Sequence, residues 1–262
     1  MKVLVKLGGT LLENPAMQAS LAGQISAACK NASVVVVHGG GKQMTRFLAE
    51  RGVASRFVGG LRVTTPEVVD AVLKVFAGTV NKQLVGALRA AGAPAAGLSG
   101  IDGGLAIAEQ MNPELGAVGR IVRADARILD TLLGGGFLPV VACVAGGDSA
   151  SGAVFNVNAD QMAVACAAAW QADRLLFLTD VPGVKGADGA VLGKLTPADA
   201  KELIAKGIAT GGMQAKLESA CAALARGVGE VRIAPGAETG ILGRLLRGEA
   251  SGTALVAEAT TA

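Results

Sequence analysis

Short runs of continuous apolar residues alternate with helical stretches, and this alternation constrains the fold more than any other feature of the chain. Residues 2–6, 33–38, 138–143, 174–178 and 230–234 are such runs. Continuous hydrophobicity is typical of strands that are covered on both faces. Helical stretches lie between them at 15–29, 42–51, 66–91, 158–170, 197–206 and 213–226. The order predicts an α/β fold, a three-layer sandwich with a mainly parallel central sheet between helices.

Two glycine-punctuated segments depart from this pattern. Residues 95–108 and 116–122 are short pieces, and we expect them to form hairpins at a substrate mouth. The character of the motifs changes near Gln171, which we interpret as a boundary between two lobes.

Composition excludes several classes of function. The net charge is +3 and no dense run of Lys and Arg occurs, so we expect no nucleic-acid partner. No stretch reaches the ~20 apolar residues of a spanning helix, so no membrane association is expected. Four scattered cysteines without a CxxC pair argue against a zinc site or disulfide framework and indicate a reducing, cytoplasmic setting.

Three glycine clusters follow strand or helix ends: Gly8-Gly9, Gly39-Gly40-Gly41 and Gly211-Gly212. Ligands of open α/β sheets bind outside the carboxyl ends of the strands, where glycine lets backbone N–H groups approach anionic oxygens. One such cluster is more often only a tight turn, but three of them, two close to a lysine, favour anion binding. The Walker A loop, GxGxxG and protein-kinase motifs are all absent from the sequence.

Two lysines and an aspartate stand near these turns. Lys6 ends an apolar strand, so its ammonium can point into the mouth of the sheet, although a snorkelling surface lysine has the same spacing. Asp160 falls in the first turn of a helix that Asn158 is expected to cap. Lys216 lies in the first turns of another helix, where the dipole disfavours a cation, and this indicates a compensating anion.

Three further polar residues are candidates. Arg62 lies in GGLRVT (59–64) and suits bidentate recognition of a carboxylate, but a lone arginine is more often an ordinary surface residue. Asn156 is not needed to cap the helix and must face another polar partner. His38, the single histidine, ends a buried strand, and we expect backbone groups to satisfy it rather than catalysis to use it.

Taken in order, the motifs resemble the N-acetylglutamate kinases of the amino-acid kinase family over nearly the whole chain. They are KLGG (6–9), VHGGG (37–41), GGLRVT (59–64), NK (81–82), GLSGIDGG (97–104), LG-VG (115–119), NVNADQ (156–161), LTDVPGV (178–184) and GGMQAK (211–216). The resemblance implies a sheet of about eight strands. It also implies a lobe for acyl-amino-acid binding and dimerisation at 1–171, and a nucleotide-binding lobe at 172–262.

The resemblance implies roles residue by residue. Lys6 and Lys216 match the lysines that stabilise the transferring phosphoryl group, and Asp160 matches the aspartate that orients both. Arg62 matches the clamp on the substrate's α-carboxylate, and Asn156 matches a residue bonding that carboxylate or the acylamido group. Gly40 and Gly41 match backbone donors toward the substrate. The residues matched around the nucleotide are Gly8, Gly9, Thr179, Asp180, Gly183, Val184, Lys185, Ile208, Thr210 and Gly211.

The implied reaction transfers the γ-phosphoryl of ATP to the side-chain carboxylate of N-acetyl-L-glutamate, with Mg²⁺ held mainly by phosphates and water rather than by a side-chain metal site. Ile101 departs from the family, since many members carry Lys before Asp102. A carrier-protein-linked aminoadipate kinase ranks second, because residues 105–123 hold only two arginines to meet an acidic carrier. An N-succinylglutamate kinase and a catalytically dead amino-acid sensor stay open, although both lysines and Asp160 argue against the sensor.

The resemblance also bears on assembly and regulation. Arginine-inhibited members carry an extra helix before the first strand, whereas the first strand here begins at Lys2. We therefore expect a homodimer that arginine does not inhibit, with a two-fold contact through an apolar helix such as residues 66–91.

Overall fold

An eight-stranded sheet forms the centre of the structure, a computed structural model that describes residues 1–148 and 151–257. The strands of the described residues are β1 (Lys2–Leu7), β2 (Ser33–His38), β3 (Phe57–Val58), β4 (Leu61–Arg62), β5 (Ala95–Ser99), β6 (Ala106–Gln110), β7 (Gly119–Ala124), β8 (Leu138–Ala142), β9 (Val144–Gly146), β10 (Val154–Asn156), β11 (Arg174–Thr179), β12 (Lys194–Leu195), β13 (Glu230–Pro235) and β14 (Thr253–Val256). The helices are α1 (Pro15–Ala28), α2 (Gly41–Ala49), α3 (Pro66–Val72), α4 (Asn81–Ala90), α5 (Arg127–Gly134), α6 (Ala159–Ala169), α7 (Pro197–Ala205), α8 (Gly211–Ala225) and α9 (Ile241–Leu246).

The central sheet is mainly parallel. Its strand order is β12-β14-β13-β11-β1-β2-β8-β5, and every pair from β13 to β5 is parallel. Strand β14 pairs antiparallel with β13, and β12 runs parallel to β14. Helices cover the sheet in two packed groups, one with α1, α4 and α9, the other with α6, α7 and α8. The predicted three-layer α/β fold is confirmed.

The continuous apolar runs are buried because the sheet is covered on both sides. In β1, Val3, Leu4, Val5 and Leu7 have no exposed surface, and the buried Lys6 is the last residue but one of the strand. Burial of one such side chain contributes about 1.5–3 kcal/mol. A lysine in so apolar a strand therefore needs a partner of opposite charge.

One of the two glycine-punctuated segments folds differently from the prediction. Residues 106–110 and 119–124 pair as the antiparallel strands β6 and β7, as a hairpin requires. Residues 95–99, however, form β5, the edge strand of the large sheet, paired in parallel with β8. A five-residue apolar piece that follows α4 can pair with β8, and local composition does not distinguish this pairing from a hairpin.

The predicted helix at 66–91 contains a wide turn. Helix α3 begins after Thr65, whose hydroxyl accepts the N–H of Val68 at 3.4 Å, and Pro66 occupies its first position. Residues Leu73–Val80 then form a π-helical turn that leads without interruption into α4. A π turn contains an extra residue relative to an α-helix, and such turns are frequent at functional sites.

Trp170 lies directly after α6 and is fully buried. Its indole N–H donates to Asp130 Oδ1 at 3.1 Å, and the ammonium of Lys2 lies 5.3 Å from the ring centroid. The backbone oxygen of Trp170 accepts from the same ammonium at 3.0 Å. These contacts fasten the end of α6 to the start of β1.

Two further predictions concern the whole chain. Cys29, Cys143, Cys166 and Cys221 are all free thiols, two fully and two partly buried, as small core residues would be. Within residues 1–148 and 151–257, no helix combines the length and the apolar character needed to span a bilayer.

Candidate active site

The carboxyl ends of β1 and β2 lie side by side, and this brings two glycine turns together. Leu7 is opposite His38 in the parallel register, so Gly8 and Gly39 follow at the same level. A β-carbon at Gly9 would lie 3.6 Å from the backbone nitrogen of Gly41. The first and second glycine turns therefore face one another across the mouth of the sheet.

The first turn of α6 lies against the second glycine turn. As predicted, Asn158 caps this helix: its Oδ1 accepts the backbone N–H of Asp160 at 2.8 Å and that of Gln161 at 3.2 Å. A β-carbon at Gly39 would lie 3.2 Å from the β-carbon of Ala159. This close approach places the Asp160 carboxylate next to the carboxyl end of β1.

Asp160 joins the two predicted lysines. Its Oδ1 lies 2.7 Å from Lys6 Nζ, and its Oδ2 accepts a hydrogen bond of 3.1 Å from Lys216 Nζ. Lys6 and Asp160 are 7% and 6% exposed, so the pair lies almost out of solvent. The dipole of α8 disfavours a cation at Lys216, and the carboxylate of Asp160 offsets this effect. We name Lys6, Asp160 and Lys216 the lysine–aspartate cluster.

Opposing influences set the pKa of the Asp160 carboxyl. Burial raises it, because desolvation disfavours the charged form. The ammonium groups of Lys6 and Lys216 together outweigh burial and hold the pKa below its usual range. The carboxylate is therefore ionised at neutral pH, and the cluster carries one net positive charge.

Arg62 ends the short strand β4 and turns back toward α2. Its guanidinium donates to the carbonyl oxygen of Gly41 at 3.1 Å, to Thr45 Oγ1 at 2.7 Å and to the hydroxyl of Ser55. The ring of Phe57 covers it, with its centroid 4.6 Å from the guanidinium carbon. Desolvation lowers the pKa of Arg62, yet the group stays charged at neutral pH because its ordinary pKa is so high. Sequence reasoning did not identify Thr45 and Ser55, because neither residue belongs to a recognised motif and no local pattern shows that its hydroxyl approaches Arg62.

Asn156 reaches the same side of the molecule through Thr64. Its amide nitrogen donates to Thr64 Oγ1 at 3.0 Å, and that hydroxyl donates to the carbonyl oxygen of Arg62 at 2.9 Å. The polar partner expected for Asn156 is thus a threonine that is itself tied to β4. This arrangement leaves the Asn156 amide oxygen able to accept a further hydrogen bond.

Among the residues predicted to surround the nucleotide, those at the ends of β1 and β11 differ in whether their polar groups are already hydrogen-bonded within the protein. The Gly8 N–H donates to the carbonyl oxygen of Leu178 at 2.9 Å, so it extends the ladder between β1 and β11 and is not free to bind a ligand. Gly9 begins the following 3-10 turn. At the end of β11, the Thr179 hydroxyl donates to Asp180 Oδ1 at 3.1 Å.

The turn after β11 is packed against β14. Gly183 has a φ of +152°, and a β-carbon there would lie 2.8 Å from Val191 and 2.9 Å from the hydroxyl of Thr253. That hydroxyl accepts the Val184 N–H at 2.8 Å, while Lys185 forms a backbone bridge to Val191. Only glycine fits at position 183, because both space and conformation exclude a side chain.

Ile208, Thr210 and Gly211, predicted to lie near the nucleotide, lead into the amino terminus of α8. Ile208 follows α7 and donates its N–H to the carbonyl oxygen of Leu203 at 3.0 Å. Thr210 stands at the N-cap but its hydroxyl accepts no backbone N–H, and Gly211 has a φ of +53°. The first N–H groups of α8 therefore lack the side-chain cap that most helices use, and an anionic ligand can take its place.

A cavity of about 680 Å³ adjoins the cluster. Asp160, Lys216 and Gly211 border it at one end, and it continues between α6 and α8 toward Arg226 and the turn between β3 and β4. Lys6 and the two glycine turns at β1 and β2 do not line it. The cavity reaches the cluster from the side of α8, the side on which the predicted nucleotide residues begin this helix.

A buried polar pair lies behind the second glycine turn. His38 is fully buried, its Nδ1 lies 2.8 Å from the carbonyl oxygen of Gly39, and its Nε2 lies 3.0 Å from Asn81 Nδ2. Burial is the main cause that lowers the pKa of His38, to about 4. The expected backbone partner is present for Nδ1, whereas the partner of Nε2 is the side chain of Asn81. The sequence signal for its second partner is the NK motif at 81–82, which the motif series already contains.

Comparison with known proteins yields consistent matches. The sequence profile of the amino acid kinase family matches residues 1–235. An acetylglutamate kinase of Solibacter usitatus is 60% identical over 257 residues, which cover 98% of this chain and 99% of that protein. An acetylglutamate kinase of Rubrobacter xylanophilus is 45% identical and covers 96% and 95% of the two chains.

Solved structures share the fold. The N-acetylglutamate synthase of Neisseria gonorrhoeae, complexed with coenzyme A and N-acetyl-glutamate, superposes with a TM-score of 0.86 at 28% identity. That match covers 98% of this chain and 60% of the synthase chain. A carbamate kinase of Giardia lamblia bound to AMP-PNP has a TM-score of 0.73 at 16% identity over 98% of each chain, a likeness of fold alone.

Proposed function

The chain belongs to the amino acid kinase family, and we propose that it transfers the γ-phosphoryl group of ATP to the side-chain carboxylate of N-acetyl-L-glutamate, a step of arginine biosynthesis. The observation that carries the proposal is the lysine–aspartate cluster at the mouth of the sheet. Two ammonium groups converge there on one buried carboxylate, next to the glycine turns. The choice of N-acetyl-L-glutamate as substrate follows from the acetylglutamate kinases that resemble this chain at 43–60% identity.

The chemistry needs no general base. A carboxylate with a reference pKa of about 4.3 is already ionised at neutral pH. One of its oxygens forms a bond to the γ-phosphorus, and the bond from that phosphorus to the β–γ bridging oxygen breaks. ADP leaves with the bonding electrons, the product is an acyl phosphate, and no proton moves.

The cluster stabilises the charge that develops on the phosphoryl oxygens. Lys6 and Lys216 bring two cations to one point, and Asp160 holds both in place, so that little reorganisation is needed during transfer. Gly9, Gly40 and Gly41 add backbone N–H groups from the two facing turns. Alignment and neutralisation of charge are the main contributions that phosphoryl transfer requires of a protein.

Mg²⁺ is assigned to the nucleotide's phosphates and to water. The two ammonium groups beside Asp160 offset its charge and repel a further cation, so this carboxylate is a poor ligand for Mg²⁺. When bound with ATP, Mg²⁺ would neutralise part of the phosphate charge. The residues proposed around ATP are Gly9, Thr179, Asp180, Gly183, Val184, Lys185, Ile208, Thr210 and Gly211, with Gly8 as a structural member of the same turn.

Arg62 and Asn156 are proposed to bind the acyl-amino acid. Arg62 has only neutral partners among the described residues, so its charge is available for the α-carboxylate. The free amide oxygen of Asn156 can accept from the acylamido N–H. Gly40 and Gly41 follow the carboxyl end of β2 beside Arg62, so the proposed substrate site continues from Arg62 toward the lysine–aspartate cluster.

Three broader features are part of the proposal. We assign residues 1–171 to acyl-amino-acid binding and dimerisation and residues 172–262 to the nucleotide, with the division falling between β1 and β11 of one continuous sheet. We propose a homodimer through the helical region of residues 66–91, where Leu73 is 37% exposed. Light scattering at several concentrations tests the dimer. The four free thiols support a reducing, cytoplasmic setting.

An ADP-release assay with matched acyl-amino acids tests the function. N-acetyl-L-glutamate should support turnover, whereas N-acetyl-L-glutamine, which lacks the ionised side-chain carboxylate, should support none. Hydroxylamine should trap the acyl phosphate as a hydroxamate in proportion to the ADP released. Preference for N-succinyl-L-glutamate, or turnover only with a carrier-linked aminoadipate, would reject the proposed substrate.

A further inference from the structure

A chain of hydrogen bonds leads from α4 to the second glycine turn. Lys82 Nζ lies 3.1 Å from Asn81 Oδ1, and Asn81 Nδ2 lies 3.0 Å from His38 Nε2 and 2.9 Å from the carbonyl oxygen of Val140. His38 Nδ1 in turn lies 2.8 Å from the carbonyl oxygen of Gly39. His38 and Asn81 have no exposed surface, so each polar atom needs its partner.

The chemistry of the two ends fixes the direction of every bond. The ammonium of Lys82 can only donate, so Asn81 Oδ1 accepts and the amide nitrogen is left to donate. His38 therefore accepts at Nε2 and donates from Nδ1 to the Gly39 carbonyl. This arrangement needs the neutral imidazole in one tautomer, since a proton on Nε2 would face the Asn81 N–H. Burial and the charge of Lys82 both disfavour the protonated ring.

The geometry of the peptide group carries this direction to the ligand side. All peptide bonds of the described residues are trans, and in a trans peptide the C=O and N–H point in opposite directions. The bond from His38 draws the Gly39 carbonyl toward the buried ring. The N–H of Gly40 belongs to the same peptide plane, so it points away from the ring. Within residues 1–148 and 151–257 no backbone or side-chain group accepts this N–H.

The π turn supports Gly40 from a second direction. A β-carbon at Gly40 would lie 2.9 Å from Phe76 Cδ1 and 3.2 Å from Val80 Cγ2, so the glycine backbone is seated directly on these side chains. Phe76 and Val80 belong to the π turn, and Asn81 is the residue that follows it. One widened helical turn thus provides both the seat of Gly40 and the amide that orients His38.

We propose that His38 and Asn81 are positioning residues that aim the Gly40 N–H at the transferring phosphoryl group. The role rests on the proposed function, and neither side chain touches a substrate. A preorganised N–H directed at developing negative charge is worth most when it cannot rotate away. Displacement of such a group by 1 Å can cost about 100-fold in rate.

Two substitutions at His38 separate the donor from the bulk of the ring. His38→Asn keeps a donor near the position of Nδ1, whereas His38→Leu fills similar space without one. We expect His38→Leu to lose about 10- to 100-fold in kcat, and His38→Asn to lose several-fold less. Thermal unfolding of both variants is measured in parallel. Wild-type kcat in His38→Leu, or equal losses in the two variants, would overturn the positioning role.

Asn81→Asp provides a pH signature. The new carboxylate cannot donate to His38 Nε2, so it favours a proton there, and a neutral ring would then present the bare Nδ1 to the Gly39 carbonyl. Only the imidazolium satisfies both partners, which raises the pKa of His38. Turnover of this variant should be retained at low pH and fall about 10-fold as the pH rises through the raised pKa. Lys82, the charged neighbour of His38 on α4, is unchanged.

The pH profile also decides the case if His38→Leu fails to fold. A variant Asn81→Asp whose kcat follows the wild-type profile from pH 5.5 to 8.5 would overturn the proposal. Absence of turnover of N-acetyl-L-glutamate by the wild-type enzyme is a different outcome, since it rejects the proposed function and removes the premise of the positioning role.

Discussion

The cations of the site are held in two contrasting ways. Lys6 and Lys216 share one buried carboxylate, that of Asp160, whereas Arg62 is held by two hydroxyls and a carbonyl oxygen. Both arrangements leave one net positive charge, since two lysines and one aspartate sum to +1. The first fixes its geometry with an internal counter-charge. The second keeps the full charge of the guanidinium for a ligand, with neutral groups that only orient it.

The largest expected effect is the loss of either lysine. Lys6→Ala and Lys216→Ala should each lower turnover by about 3–4 kcal/mol in the barrier, because each removes a cation directed at the phosphoryl oxygens. Steady-state kinetics of the purified variants measure the loss, and circular dichroism checks the fold. Lys30→Ala, at an exposed position outside the site, is the matched control and should match wild type. Near-normal turnover in either variant would remove that lysine from the mechanism.

Asp160→Asn should lower kcat about 100-fold while changing KM for both substrates much less. The amide keeps the shape of the side chain but cannot hold two ammonium groups together. Isothermal titration with the acyl-amino acid separates binding from turnover. A folded variant that no longer binds it would reassign Asp160 to substrate binding.

Acid sensitivity tests the same carboxylate without kinetics. Its pKa is lower in the folded state than in the unfolded chain, where about 3.9 is expected. Its contribution to stability is therefore present above that value and is lost as the pH falls through the lower, folded-state pKa. Denaturant unfolding between pH 7 and 3 should show a smaller acid-induced loss for Asp160→Asn than for wild type. Parallel curves would contradict the assigned shift.

Arg62→Lys tests the neutral arrangement. An ammonium cannot reproduce the planar fork, and we expect a loss of about 1.5–3 kcal/mol, seen mainly as a higher KM for the acyl-amino acid. The KM is measured at saturating ATP, and the KM for ATP serves as the internal control. If the KM for the acyl-amino acid stays at the wild-type value, Arg62 is not the clamp.

Thr45→Val should give the smallest effect, a rise in the KM for the acyl-amino acid equivalent to about 1 kcal/mol, because Arg62 keeps its two other partners. Thr45→Ser retains the hydroxyl and should behave as wild type. Raised KM in both variants would show that the methyl group of Thr45, rather than its hydrogen bond, supports Arg62.

The central sheet was predictable because its strands are buried on both faces. Four consecutive valines fill residues 34–37, and an unbroken apolar run of this kind is typical of a parallel strand covered on both faces. Residues 95–99 were assigned to a hairpin and instead pair with β8. The local pattern of a short strand does not identify its partner, because the pairing depends on residues that are distant in sequence.

The candidate site was predictable where a residue's chemistry conflicted with its position. A lysine in the first turns of a helix indicated a nearby anion for Lys216, and the family resemblance implied that Asp160 orients both lysines; the structure brings this carboxylate to Lys6 and Lys216. The role of the Gly8 N–H was not predictable, because a strand's last ladder bond depends on its neighbour. The π turn was not predictable either, since one extra residue leaves the apolar pattern of a helix nearly unchanged.

Trp170 has a consequence for optical experiments. It is the single tryptophan in a chain without tyrosine, so nearly all intrinsic fluorescence originates from one indole. That indole is buried at the carboxyl end of α6, whereas Asp160 lies in the first turn of the same helix. The indole N–H donates to Asp130, and the ammonium of Lys2 lies near the ring. Its emission should shift to longer wavelength when α6 separates from β1. Intrinsic emission is therefore a label-free, single-site reporter of this docking, and it can be recorded in every variant proposed above.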